Sequence, residues 1–263
     1  MSDGLEQRLA LAERLAREAG AIQRERFESR IEIRAKGAAI DLVTEVDHDC
    51  EEHVVGSIER EYPGDAIVAE EGRGGDHPHA EWRWVIDPLD GTTNYAHGYP
   101  RFCVSIGLES RGATQIGVVY DPLLDELYAA VRGRGATRNG TEIRVSQEEQ
   151  IGNALVATGF PYDLRQTLED NLDHFVRVVK SVRAIRRDGS AALDLCYVAC
   201  GRLDAFWELK LKPWDVLAGR LLIEEAGGRV TNLQGAPAPR DGRETLASNG
   251  RLHDAMRRLL SRR

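Results

Sequence analysis

The chain is expected to be a mixed α/β (α+β) protein with two lobes that divide near residue 145, and three observations predict this. Leu5, Leu9, Ala12, Leu15, Ala16, Ala19 and Ile22 recur at helical spacing, so residues 3–28 read as an amphipathic helix. Phe102, Val104, Ile106 and Leu108 alternate strictly with other residues, which is the period of a strand. From about residue 146 helical periodicity returns and closes a β-rich middle.

Each element follows in order. Residues 47–60 repeat the helical pattern with Val54, Val55 and Ile58, and Tyr62-Pro63-Gly64 stops them. Ala66 to Ala69 and Trp82 to Ile86 are short strands, separated by a Gly/His/Pro-rich loop at 72–80. Gln115 to Tyr120 and Glu126 to Val131 continue as strands broken by Asp121-Pro122, which predicts an antiparallel meander. Beyond the divide, helices are expected at Leu168 to Val182, Ala191 to Cys200, Val216 to Ala226 and Leu252 to Leu260. Ala205 to Glu208, Arg229 to Thr231 and Thr245 to Ala247 read as strands. There is no repeat and no low-complexity linker, so residues 1–263 are expected to form one domain with lobes 1–145 and 146–263.

Composition bounds the function. The chain carries 42% hydrophobic and 30% charged residues, as soluble globular proteins do. No apolar run approaches the roughly 18 residues that span a bilayer. Met1 to Gly20 alternates charged and apolar residues without the apolar centre of a signal peptide, so a cytoplasmic protein is expected. Cys50, Cys103, Cys196 and Cys200 read as small buried hydrophobes, because no partner pair with zinc-site spacing accompanies them. Net charge is 35 − 43 = −8, which disfavours nucleic acid as the main partner. The basic groups Arg183/Arg186/Arg187 and Arg257/Arg258/Arg262/Arg263 read as solvated faces.

Chemistry concentrates in Trp84-Val85-Ile86-Asp87-Pro88-Leu89-Asp90-Gly91-Thr92-Thr93-Asn94. An apolar strand runs into two aspartates three apart, and Pro88 between them interrupts a regular ladder. Such a bend can turn both carboxylates and the Leu89 carbonyl toward one point. Gly91-Thr92-Thr93 suits a helix start, whose free N–H groups favour an anion. Cation ligands and an anion cradle would then lie side by side, as phosphoryl chemistry requires. Either aspartate alone is explained as a turn-former or N-cap; the combination is not. Glu70-Glu71 closes the strand Ala66 to Ala69. Asp215 follows Pro213-Trp214, where an N-cap or first-turn acid is the competing reading. Asp47 flanks Thr44, and a capping role there competes with a catalytic one.

Asp41 to Asp47, Ala69-Glu70-Glu71, Asp87 to Asn94, and Trp214-Asp215 with Glu225-Ala226-Gly227-Gly228 resemble, in order and spacing, the motifs of the inositol monophosphatase family. The resemblance covers about residues 36–230. Arg187-Asp188-Gly189-Ser190-Ala191-Ala192-Leu193-Asp194-Leu195 is similar to the bacterial branch. The resemblance implies an αβαβα layered sandwich and Mg²⁺-dependent hydrolysis of inositol monophosphate to inositol and phosphate. It implies two or three Mg²⁺ per subunit, with Mn²⁺ possible, lithium sensitivity and a homodimer. Glu70, Asp87, Leu89 (through its carbonyl), Asp90 and Asp215 would be the metal ligands. Asp47, Thr92 and Glu70 would be catalytic. Lys36, Asp90, Gly91, Thr92, Ala191 and Glu208 would meet the substrate. Oxygen ligands without His or Cys suit Mg²⁺ or Mn²⁺ rather than zinc. The ions would also reconcile an acidic protein with an anionic ester.

Gly37-Ala38-Ala39 departs from the family pattern, and Asp188 adds an acid near the expected sugar pocket, with a surface turn as its simpler reading. Thr158 to Tyr162 is expected at the site mouth, and Trp84 and Trp207 in the core. Relatives with the same metal centre act on 3′-phosphoadenosine 5′-phosphate, fructose 1,6-bisphosphate or histidinol phosphate. Some bacterial members work on the transcription or ribosome machinery, which is the alternative of another class.

Overall fold

The computed structural model describes residues 2–35, 42–75, 77 and 79–261. Lys36, Asp41 and the stretch Gly37-Ala38-Ala39 lie outside the described residues, as do Arg262 and Arg263. In chain order the elements are α1 (Ser2–Arg26), β1 (Ile33–Ala35), β2 (Leu42–Thr44), α2 (Glu45–Glu61), β3 (Ala66–Ala69), β4 (Trp82–Asp90), α3 (Thr92–Ala96), β5 (Cys103–Ser110), β6 (Ala113–Asp121), β7 (Glu126–Val131), β8 (Ala136–Arg138) and β9 (Thr141–Glu142). They continue with β10 (Leu155–Thr158), α4 (Leu172–Val179), β11 (Ala184–Arg186), α5 (Ala191–Ala199), β12 (Ala205–Leu209), α6 (Pro213–Glu225), β13 (Arg229–Thr231), β14 (Glu244–Ser248) and α7 (His253–Ser261).

These elements stack in five layers. A seven-stranded sheet in the order β3-β4-β5-β6-β7-β8-β9 is covered on one face by α1 and α2. Its other face meets α5 and α6, which also lie against a five-stranded sheet in the order β11-β10-β12-β14-β13. The far face of that sheet carries α4 and α7. The expected αβαβα sandwich is the observed one. The apolar stripe of α1 supplies Leu11, Leu15, Ala16 and Ala19 to the first core, and Trp84 and Trp207 are fully buried as expected. β5 to β7 form the expected antiparallel meander, which β8 and β9 extend, while β3 lies parallel to β4.

The misses are short elements. Strands β1, β2, β8, β9, β10 and β11, each of two to four residues, are too brief to show a period. The helix expected over 168–182 is only α4, because Asn171 takes a left-handed backbone (φ 72°) where the helix would have begun.

α6 lies unusually close to the first sheet. A Cβ on Gly117 of β6 would stand 2.6 Å from the Ala218 carbonyl oxygen, so only glycine admits the helix there. The approach brings the first turn of α6, and with it Asp215, toward the end of β4.

Candidate active site

Where β4 ends, the ladder to β5 is regular from Trp82 to Asp87 and resumes at Asp90 opposite Cys103, with an irregularity between. Pro88-Leu89 makes that bulge. Strand character thus extends through Asp90 rather than ending before Asp87, and the two carboxylates lie on the strand's bulged last turn. Asp87 Oδ1 accepts the Leu89 N–H at 3.0 Å, and the Gln23 side-chain amide donates to the Pro88 carbonyl at 2.7 Å. Gly91 follows with φ +104°, and a Cβ there would lie 2.8 Å from the Arg101 carbonyl oxygen. The left-handed step starts α3, with Thr92 as its first residue.

Thr92 Oγ1–H lies 2.8 Å from Asp47 Oδ1 and 3.1 Å from the Leu89 carbonyl oxygen. Asp47 Oδ2 accepts from the Thr44 hydroxyl at 2.6 Å and the Thr44 N–H at 2.9 Å. Asp47 is therefore both a cap of α2 and a partner of Thr92. Asp215 likewise caps its helix, since its Oδ2 accepts the Lys212 N–H at 2.7 Å at the start of α6. Ser105 Oγ–H, on β5, donates to the Trp214 carbonyl and ties that start to the sheet.

Glu70 sits just past β3. Its loop is held by Glu51, a buried residue of α2 whose carboxylate accepts the N–H groups of Glu71 and Arg73, each at 2.8 Å. Sequence reasoning missed Glu51. The available signal was an acid on the buried stripe of α2, one turn past Asp47 and beside Cys50 and Val54.

A cavity of about 430 Å³ gathers these groups. One wall holds Glu70, Asp87, Leu89, Asp90, Thr92 and Asp215, and Gly91 lies among them. The lining also includes Ala191, Asp194 and Glu208, and residues 158–162 form part of it as expected. Of the expected site residues that are described, only Asp47 is not in the lining, lying behind Thr92; Lys36 is outside the described residues. Arg187, expected on a solvated face, also lines the cavity. Asp188 does not. It turns toward Arg101, 3.9 Å away, and its carbonyl accepts from the Asn94 side chain.

The electrostatics fit cation binding. Burial lifts the Asp87 carboxyl well above its usual range, and the charges of Glu70, Asp90 and Asp215 lift it further. Asp215 is raised well above its usual range by burial and then by Asp90 and Glu70. Burial raises Asp90 as well, against the pull of Ser190 Oγ–H and the Ala192 N–H. Glu208 is pushed well up by burial and then by Asp215. Burial carries Asp194 to about 8, against the attraction of Arg101. Divalent cations would relieve this mutual repulsion, and the cavity lining offers oxygen donors without His or Cys. Among the described residues no three His, Cys, Asp or Glu side chains already close round one point as a metal cage; the acids share a wall and sense one another's charge.

The model of the inositol monophosphatase family matches residues 4–263. An inositol-1-monophosphatase of Synechocystis is 44% identical over 233 residues, 88% of this chain and 80% of the relative. The Nus factor SuhB of Pseudomonas aeruginosa is 45% identical over 237 residues, 87% of this chain and 86% of that protein. The solved inositol monophosphatase of Anabaena is 43% identical, with a TM-score of 0.88, and the match covers 98% of this chain and 96% of that one. These matches define a phosphoric monoester hydrolase. The chain belongs to the inositol monophosphatase family.

Proposed function

We propose that the chain hydrolyses the phosphate monoester of a small polyol, inositol monophosphate first, in a Mg²⁺-dependent reaction. The observation that carries this is the single cavity that holds the acids of β4 and α6, the start of α3 and the polar pair Asp194 and Glu208. Glu70, Asp87, the Leu89 carbonyl, Asp90 and Asp215 would hold two or three Mg²⁺, with Mn²⁺ as substitute. Bound there, such ions acidify water and neutralise charge on the ester's oxygens.

The chain's own residues do the remainder. Gly91 and Thr92 present backbone N–H groups at the start of α3 to the phosphate. Thr92 Oγ1–H donates to Asp47, which leaves the Thr92 oxygen free to accept from a water; as the water's proton passes to Thr92, the Thr92 proton passes to the Asp47 carboxylate. Water is then the nucleophile, and no side chain need be phosphorylated. Glu208 and the Ala191 backbone face the space a polyol ring would fill, and a carboxylate there accepts hydroxyl hydrogens. Lys36 is assigned to substrate by family resemblance alone, and lithium sensitivity and the homodimer have the same basis; a cytoplasmic setting rests on the sequence pattern of residues 1–20.

Turnover of inositol monophosphate, 3′-phosphoadenosine 5′-phosphate, fructose 1,6-bisphosphate and histidinol phosphate, each with and without Mg²⁺, tests the reading. Inositol monophosphate should lead, only with the metal, and should be inhibited by Li⁺. A clear preference for the nucleotide would overturn the substrate. A second reading, a binding role in transcription, is motivated by the relatives named Nus factor SuhB. Asp90→Asn separates the two: a cellular phenotype rescued by this inactive variant establishes the binding role, and failure of rescue removes it.

A further inference from the structure

Two of the sequence motifs that lie a hundred residues apart meet at one oxygen atom. Asp90 Oδ2, at the end of β4, accepts from Ser190 Oγ–H at 2.7 Å and from the Ala192 N–H at 2.7 Å. Ser190 is the N-cap of α5, and its side chain makes no capping bond within its own helix. Its hydroxyl serves Asp90 instead, and Asp90 stands where a cap would stand. Ser190 is wholly buried, with the Cys103 thiol 3.7 Å from its hydroxyl. A second link runs alongside: the Asn94 amide donates to the Asp188 carbonyl at 2.8 Å and to the Arg101 carbonyl at 2.7 Å. Gly189, between the two links, has φ +82° and carries the chain from one to the other.

We propose that Ser190 is a positioning residue for the metal site: it fixes the Asp90 carboxylate through Oδ2, so that Oδ1 is the oxygen presented to a cation. This inference rests on the assignment of Asp90 as a metal ligand. The Cys103 thiol adds a weaker donor to Asp90 Oδ2 at 3.8 Å. The physical basis is that a carboxylate with several donors on one oxygen has lost its freedom to rotate about χ2, and a pre-oriented ligand binds metal more tightly. The arrangement also joins two functions in α5. Its first turn holds Asp90, while Ala191 and Asp194 of the same helix line the polyol side of the cavity. Movement of α5 on substrate binding would be felt by the metal ligand directly.

The test compares wild type, Ser190→Ala and Ser190→Thr by Mn²⁺ binding to the metal-free protein, read as free Mn²⁺ by electron paramagnetic resonance, with unfolding midpoints recorded beside it. Ser190→Ala is expected to weaken the tightest Mn²⁺ site about 10- to 100-fold, as loss of a partner to a ligand does. Its KM for the ester at saturating metal and its unfolding midpoint should stay close to wild type. Ser190→Thr, which restores the hydroxyl, should recover most of the affinity. Ser190→Ala that binds Mn²⁺ as wild type does overturns the proposal, as does Ser190→Thr that fails to recover while still folded. A wild-type protein that binds no Mn²⁺, or binds it unchanged after Asp90→Asn, removes the ligand assignment beneath it, a separate failure. Should Ser190→Ala lower the unfolding midpoint and the affinity together, a normal affinity in Ser190→Cys, which keeps only a weak donor, counts against positioning.

Discussion

At the residue scale, the acids of the cavity hold more than one position at once. Asp47 takes Thr44 on one oxygen and Thr92 on the other. An amide offers a single acceptor oxygen and cannot serve both. Asp47→Asn is therefore expected to lower kcat by about 10²- to 10⁴-fold, the range for loss of proton-transfer help. Its cost in stability should be only about 1 kcal/mol, that of a weakened cap; steady-state kinetics and urea unfolding check the two. Asp215→Asn keeps an acceptor for the Lys212 N–H but removes one of several like charges from a buried group. In chelator-treated protein its unfolding midpoint should equal or exceed wild type, although activity falls by orders of magnitude. A midpoint well below wild type would show that mutual repulsion of these carboxylates does not destabilise the metal-free fold. Asp87 and Asp90 were legible in the sequence because two acids and a proline after an apolar strand have few structural explanations, whereas Asp47 and Asp215 were assigned to the site by the family resemblance. Ser190 and Glu51 were not legible: their work is visible only through partners distant in sequence.

At the element scale, the site depends on where α6 and α3 begin. α6 is admitted by Gly117, where a Cβ would press within 2.9 Å of Ala218 Cα as well as its carbonyl oxygen. Gly117→Ala must push backbone rather than a flexible tip, so a loss of about 2 kcal/mol or more is expected. Because α6 carries Asp215, the concentration of Mg²⁺ for half-maximal rate should rise in parallel. A stable variant with unchanged metal dependence would contradict this account of how α6 is placed. Helix periods and the meander could be read from sequence because they repeat over many residues. The bulge at Pro88-Leu89 could be anticipated as an interruption but not as a strand that continues through it, since pairing of Asp90 with Cys103 is a property of both strands.

At the scale of the whole molecule, five layers bury both sheets, and the outermost core contains a neutral histidine. His253 is fully buried between the Thr231 and Ser248 hydroxyls, each at 2.8 Å. Burial, then Arg229, depresses it from 6.5 to about 4. The unfolded chain thus binds the additional proton between these values. Stability from this group is complete above about pH 6.5 and falls as pH drops to about 4, by roughly 3 kcal/mol. His253→Asn should show a shallower loss of stability than wild type across that window; equal slopes would place the acid sensitivity elsewhere. The order of layers was legible only through family resemblance, because the sequence period shows which residues face a core but not which sheet lies opposite. On the proposed function, Glu70 just past β3 and the acids of β4 and α6 form one cation site beside the start of α3. Anomalous diffraction from Mn²⁺-soaked crystals tests it directly: the account predicts peaks bonded to the carboxylates of Glu70, Asp87, Asp90 and Asp215, and a cavity without any such peak would contradict it.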